Sequence, residues 1–140
     1  MAAAWHLANI ECAVPVKTKR WNDPAEPDDG FRVLITRFRP RGVAKADETW
    51  QQWWPELAPS RQLLADYHGK DGAPITFDQY RPRYFEEMRA QVFRIRALAD
   101  RAAAGEVITL LCSSACTDPA ACHRTLLKKL IEAAGARPVR

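Results

Sequence analysis

The stretch VITLLCSSACTDPAACHRTLL, residues 107–127, decides how this chain is read. Its first six residues form an unbroken apolar run with β-branched members, too short for a helix that must present a polar face, and they predict a strand buried on both sides. Such strands sit at the centre of parallel sheets. After Cys112 the polar segment SSACTDP predicts a loop, and Asp118 followed by Pro119 marks a helix start: aspartate accepts from free backbone N–H groups, and proline at the first helical position loses no hydrogen bond. The expected helix runs from Pro119 to Ala134, with Gly135 in the capping position.

Working outward, the stretch FRVLITRF, Phe31–Phe38, alternates and is rich in β-branched residues. Val33 and Ile35 are expected on one face, and Leu34, Thr36 and Phe38 on the other. A weaker strand is expected within Cys12–Trp21, interrupted at Pro15 and therefore near a sheet edge. The Pro/Asp-rich NDPAEPDDG between them ends in an Asp-Gly turn. From Thr49 to Tyr67 two short helical pieces are expected, WQQWWPEL and PSRQLLADY, the second capped by Ser60. The tryptophans read as core or lid. A long helix is expected from Phe77 to Ala103, with Tyr84, Met88, Val92, Ile95 and Leu98 at helical spacing, Pro82 in its first turns, and Gly105 beyond its end. Strands alternating with helices predict one α/β domain of the Rossmann-like kind, its mostly parallel sheet flanked by helices, over residues 1–140 with 1–13 as an N-terminal extension.

Composition agrees with a single domain. The chain has 140 residues, 47% hydrophobic and 27% charged, a formal charge of +4, and four cysteines. No apolar run approaches the roughly 18 residues of a membrane span, and the opening MAAAWHLANIEC lacks a basic start followed by a long apolar stretch. The expectation is a cytoplasmic protein with reduced thiols. The positive balance favours phosphate-bearing partners through steering alone.

Ligands of open parallel sheets bind beyond the carboxyl ends of the strands, where loops meet helix N-termini. The segment from Cys112 to Arg124 occupies that position. Free backbone N–H groups at the helix start favour an anion, His123 and Arg124 add donors, and the same field favours thiolate at Cys116 or Cys122. The run TRFRPRGVAK supplies a second anion-binding element: if the chain stays extended through Pro40, period two places Arg37, Arg39 and Arg41 on one side, with Lys45 following a turn. Asp28 and Asp29 are competing partners for these arginines. A zinc site is disfavoured, because Cys-x3-Cys-x5-Cys-His lacks paired two-ligand knuckles and adjacent helical Cys122 and His123 point about 100° apart. A cysteine-phosphatase loop is also a poor fit, since no cysteine is followed six positions later by arginine in a glycine-rich turn.

Three stretches, DDGFRVLITRFRPRGVAK, the ELAPS of Glu56–Ser60 with the later Arg83-Tyr84 pair, and ITLLCSSACTDPAACHRTLL, together resemble the domain-of-unknown-function 488 family, the YeaO-like proteins, from about Lys19 to Ile131. Thr36 stands where that family usually has aspartate, Arg39 where it usually has tryptophan, and Cys-x3-Cys where a shorter Cys-x-Cys is common. The resemblance implies a compact Rossmann-like domain and carries over Arg37, Arg41 and Lys45, then Tyr84, then Cys112, Cys122, His123 and Arg124 as site residues.

The leading expectation is a pocket for a phosphate-bearing, nucleotide-like small molecule. Arg37, Arg41, Lys45, Tyr84, Cys112 and Arg124 would bind it, and Cys116, Cys122 or His123 would act in proton transfer or nucleophilic attack. One rival is a nucleic-acid-binding module using Lys17, Lys19, Arg20 and the 37–45 run, with tryptophans for stacking. Another is a redox or metal module built on Cys112, Cys116 and Cys122.

Overall fold

The computed structural model describes residues 16–136. The N-terminal extension and Cys12 lie outside the described residues. Four strands, β1 (Val16–Arg20), β2 (Phe31–Leu34), β3 (Gln52–Trp53) and β4 (Ile108–Cys112), form one sheet in the order β1-β4-β2-β3. Every pairing is parallel, with Val16 and Phe31 both opposite Ile108, and Val33 opposite Gln52. The apolar run after Val107 is indeed central, and all five residues of β4 are buried. Strand β1 lies at the sheet edge, as expected for the strand before Trp21, and Pro15 lies outside the described residues.

The helices are α1 (Arg61–His68), α2 (Phe77–Met88), α3 (Val92–Ala103) and α4 (His123–Ala136). Residues of all four join Val16, Val33, Ile35, Ile108 and Leu110 in one buried cluster, which therefore lies on one face of the sheet. On the other face Leu34 and Leu111 pack with Trp50, ringed by Trp21, Val43 and Trp53. The alternation of β2 is as expected, Val33 and Ile35 to one side and Leu34 to the other. Trp50 is buried core, and edge-on to Trp21 at 6.2 Å between ring centres.

Four expectations need correction. Strand β2 stops at Leu34, and the chain from Ile35 to Pro40 is irregular, so period two cannot align Arg37, Arg39 and Arg41. The expected helix WQQWWPEL is strand β3 followed by a 3-10 turn at Pro55–Leu57, because Gln52 and Trp53 pair with β2 and Pro55 has no N–H to continue a helix. The long helix is two helices broken at Arg89–Gln91, where Gln91 adopts φ −112°, ψ 23°. That break leaves Val92 and Phe93 exposed and turns Ile95, Leu98, Ala99 and Ala102 inward. Finally, Asp118-Pro119 starts only a 3-10 turn, Pro119–Ala121, and α4 begins four residues later at His123 and includes Gly135.

The cap at Ser60 forms as expected. Its hydroxyl accepts from the Leu63 N–H at 3.1 Å and donates to the Glu87 carboxylate at 2.5 Å, tying α1 to α2. Ser60→Ala is expected to lower stability by about 1 kcal/mol, the usual worth of an N-cap. Urea denaturation would show this as a lower midpoint with unchanged slope.

Candidate functional site

Strands β1, β2 and β4 all end at the same side of the molecule, and a hollow of about 860 Å³ opens beyond their carboxyl ends. One wall is the chain after β2, Thr36–Arg41. Another is the chain after β4, from Cys112 to Asp118, with Cys122 and His123. Trp21, from the end of β1, and Tyr67, from α1, add aromatic surface. Among the described residues, five cationic side chains, Arg37, Arg39, Arg41, Arg61 and Lys70, line the hollow against one carboxylate, Asp118.

These cations are held differently. Arg37 donates from Nε to the Pro59 carbonyl at 3.0 Å and from Nη2 to that of Ala58 at 3.2 Å, which fixes its stem beside α1. Arg39 is paired with Glu48 at 2.5 Å, donates to the Val43 carbonyl, and lies 5.5 Å from the Trp50 ring centre. Arg41 is exposed at the rim. Arg61 stacks over Phe38 at 5.1 Å. Lys45 stands on an exposed 3-10 turn and is not part of the hollow's lining. The carboxylates Asp28 and Asp29 bind Lys17, Lys19 and Arg32 rather than the arginine run.

The floor is built from sulfur. Cys112 Sγ lies 3.2 Å from Cys116 Sγ and 3.3 Å from Cys122 Sγ, all three as free thiols. The late start of α4 produces this arrangement. Cys122 is extended, with φ −135° and ψ 144°, so its side chain does not follow the helical rotation of its neighbour. It turns to Cys112, to which it donates. His123 Nδ1 faces the same group, 3.9 Å from Cys112 Sγ and 4.0 Å from Cys122 Sγ. The expectation that Cys122 and His123 diverge by a helical step is therefore corrected.

His123 is buried and bonds the Ile35 carbonyl through Nε2 at 2.7 Å. A carbonyl only accepts, so the proton is on Nε2 and the Nδ1 lone pair faces the sulfurs. Burial pushes its pKa below the ordinary value, which keeps the ring neutral. Among the sulfurs, Cys116 is drawn down by its neighbours Cys112, which donates to it, and Cys122, with Arg124 adding positive charge; Cys112 is pushed up by its contacts with Cys116 and Cys122 and by burial. Cys122 is pushed up as well: its contact with Cys112 works downward but is outweighed by Cys116 and burial.

Tyr84 and Arg124 stand behind this floor and do not line the hollow. Tyr84 is fully buried, donates to the Leu57 carbonyl at 2.8 Å, and packs its ring 5.6 Å from that of His123. Burial raises its hydroxyl well above the ordinary tyrosine pKa, so it stays a neutral donor. Arg124 is buried and donates from Nη2 to the Cys116 carbonyl at 3.2 Å, while its Nε has no partner among the described residues. Thr36, at the position of the resemblance's aspartate, is turned to its own loop: its hydroxyl donates to the Phe38 carbonyl at 2.7 Å. Sequence reasoning missed Trp21, Tyr67, His68 and Lys70 as lining residues, since nothing in their spacing links them to the cysteine loop.

The profile of a family described as "Active DUF488-N3 subclade" matches residues 16–135. The chain is 35% identical over 106 residues to the uncharacterized protein YeaO of Escherichia coli (strain K12), covering 76% of this chain and 84% of YeaO. It is 36% identical over 88 residues to the uncharacterized protein Rv3073c of Mycobacterium tuberculosis (strain H37Rv), covering 61% of this chain and 72% of that protein. No solved structure matches the chain.

Proposed function

The chain belongs to the DUF488 family of YeaO-like proteins, and from that premise we propose that the hollow beyond the strand ends binds a small phosphate-bearing, nucleotide-like ligand. The observation that carries this reading is the convergence of Arg37 and Arg41 with the Cys112–His123 loop on one cavity of about 860 Å³, a volume suited to a small molecule. Its cationic side chains outnumber its one carboxylate, and guanidinium forks hold phosphate in two-point contacts. Trp21, Phe38 and Tyr67 give a planar base apolar surface to lie on. Cys116, the least buried of the three sulfurs, is the one such a ligand meets first.

The basic residues of β1 favour a small ligand over a nucleic-acid strand. Lys17 and Lys19 are bound to Asp29 at 2.6 and 2.9 Å, and Arg20 to Asp23 at 3.0 Å, so they do not extend the positive rim.

Calorimetric titration with nucleotides and sugar phosphates, alongside inorganic phosphate, tests the reading. At least one is expected to bind and raise the melting temperature in proportion to the logarithm of its concentration. Arg41→Ala is expected to weaken that binding about 10–100-fold, the loss of one charge-assisted contact of about 1.5–3 kcal/mol. If none of these ligands stabilises the protein and Arg41→Ala changes nothing, the reading fails. Binding of an oligonucleotide that weakens steeply with salt would transfer it to nucleic acid.

A further inference from the structure

The sulfur floor is more than the back wall of the hollow. Thiols that only fill a core pack singly among apolar side chains, whereas here Cys112, Cys116 and Cys122 place their sulfurs within 4.8 Å of one another. They come from a strand end, a loop and the residue before a helix. A fourth donor is aimed at them, for His123 holds its ring by donating Nε2–H to the Ile35 carbonyl and leaves Nδ1 3.9 Å and 4.0 Å from two of the sulfurs. That arrangement, one ring nitrogen anchored to a backbone carbonyl and the other facing a thiol cluster, is how proteins orient a metal-ligating histidine.

We propose that Cys112, Cys116, Cys122 and His123 form a binding site for one thiophilic d10 cation of the zinc kind. The set is three sulfurs and one nitrogen, a combination that structural zinc sites use. Zinc–sulfur bonds of about 2.3 Å in a tetrahedron separate the sulfurs by about 3.8 Å. The observed 3.2 and 3.3 Å require them to part by roughly half an ångström, within the reach of side-chain rotation. Each sulfur binds as thiolate and releases its proton to solvent. Three thiolates around a divalent ion leave one net negative charge, and the buried guanidinium of Arg124, which donates to the Cys116 carbonyl and keeps an unpartnered Nε, stands beside them to offset it.

The inference is independent of the anion-binding reading, and the two are measured separately. The probes are zinc and cobalt(II), added to the reduced protein. One equivalent of zinc is expected to bind in competition with a chromophoric chelator. Cobalt is expected to give the intense sulfur-to-metal charge-transfer absorption of thiolate ligation together with tetrahedral ligand-field bands. X-ray absorption of the zinc form should show three sulfur neighbours and one nitrogen. Cys116→Ser, the least buried position, should weaken zinc beyond the about 10–100-fold that loss of an outer partner costs. Arg41→Ala should bind zinc like the wild type. A cobalt spectrum without charge-transfer absorption, a zinc shell of oxygen and nitrogen alone, or reduced wild-type protein that yields its zinc to a weak chelator would overturn the site. The wild-type spectra decide the matter even if the serine variant does not fold.

Discussion

Asp29→Ala is expected to lower the unfolding free energy by about 3–5 kcal/mol, the cost of removing one partner from a buried ion pair and leaving the other uncompensated. Asp29 is 1% exposed. One of its oxygens takes the Arg32 guanidinium and the backbone N–H of Glu26, and the Lys17 and Lys19 ammonium groups close over it. Lys17 and Lys19 are partly solvated and would turn to water. Arg32 has no such escape: it is 6% exposed, its Nε is spent on the Thr49 carbonyl, and its Nη2 already lacks a partner among the described residues. Burial alone would raise the Asp29 pKa, but donation from Lys17, Lys19 and the Glu26 N–H outweighs it and holds the carboxyl well below the ordinary range. A depressed folded-state pKa means that the stabilisation is complete above the unfolded aspartate value, about 3.9, and is lost as pH falls toward the folded value. Wild-type stability should therefore drop on acidification below about pH 4, and the Asp29→Ala curve should be flatter there. Urea midpoints measured at neutral and acidic pH check both parts. Equal acid sensitivity in the two proteins would show that Asp29 is not the group responsible.

The fold was legible where local chemistry agreed with the tertiary environment. Residues 108–112 are apolar but for Thr109 and open with two β-branched residues, Ile108 and Thr109; β4 is covered on both faces, so burial and propensity point the same way. Ser60 and Gly105 were legible because a cap and a positive φ are short-range demands, met within a few residues. Strand β3 was not, since its two paired residues, Gln52 and Trp53, owe their state to β2, which lies eighteen positions earlier and has no local signature there. The late start of α4 was hidden for the opposite reason: Asp118-Pro119 does start a turn, and sequence alone cannot tell a 3-10 turn from a full helix. That one misplacement changes the chemistry. With Cys122 helical, its sulfur and the His123 ring diverge; with Cys122 extended, both reach Cys112. Convergence of the arginine run on the cysteine loop was legible from the rule that ligand sites lie beyond strand ends, whereas the separate anchoring of Arg37 and Arg39 depended on Pro59 and Glu48, which no periodicity connects to them.

Gly30→Ala is expected to be the second severe substitution, and Gly42→Ala is its control. Both glycines have positive φ, 65° and 75°, so both variants suffer the strain of a side chain in that region, about 1–2 kcal/mol. They differ in surroundings. A Cβ at Gly42 meets nothing within 4 Å, whereas one at Gly30 would run into the carbonyl of Val107. That carbonyl cannot give way, because it accepts the Phe31 N–H at 2.8 Å, the bond that begins the β2–β4 ladder. Gly30 also combines φ 65° with ψ −129°, a region essentially reserved for glycine, which places its cost at the upper end of about 1–3 kcal/mol before the overlap is counted. Relief requires the Asp29 turn to move off β4, which breaks the bond from the Thr109 hydroxyl to the Asp29 carbonyl at 2.6 Å and loosens the buried pair with Arg32. Gly30→Ala should therefore lose markedly more stability than Gly42→Ala in urea denaturation, and coupling with Asp29→Ala should be non-additive, since both act on one turn. Equal losses at the two glycines would mean that the turn does not lie against β4.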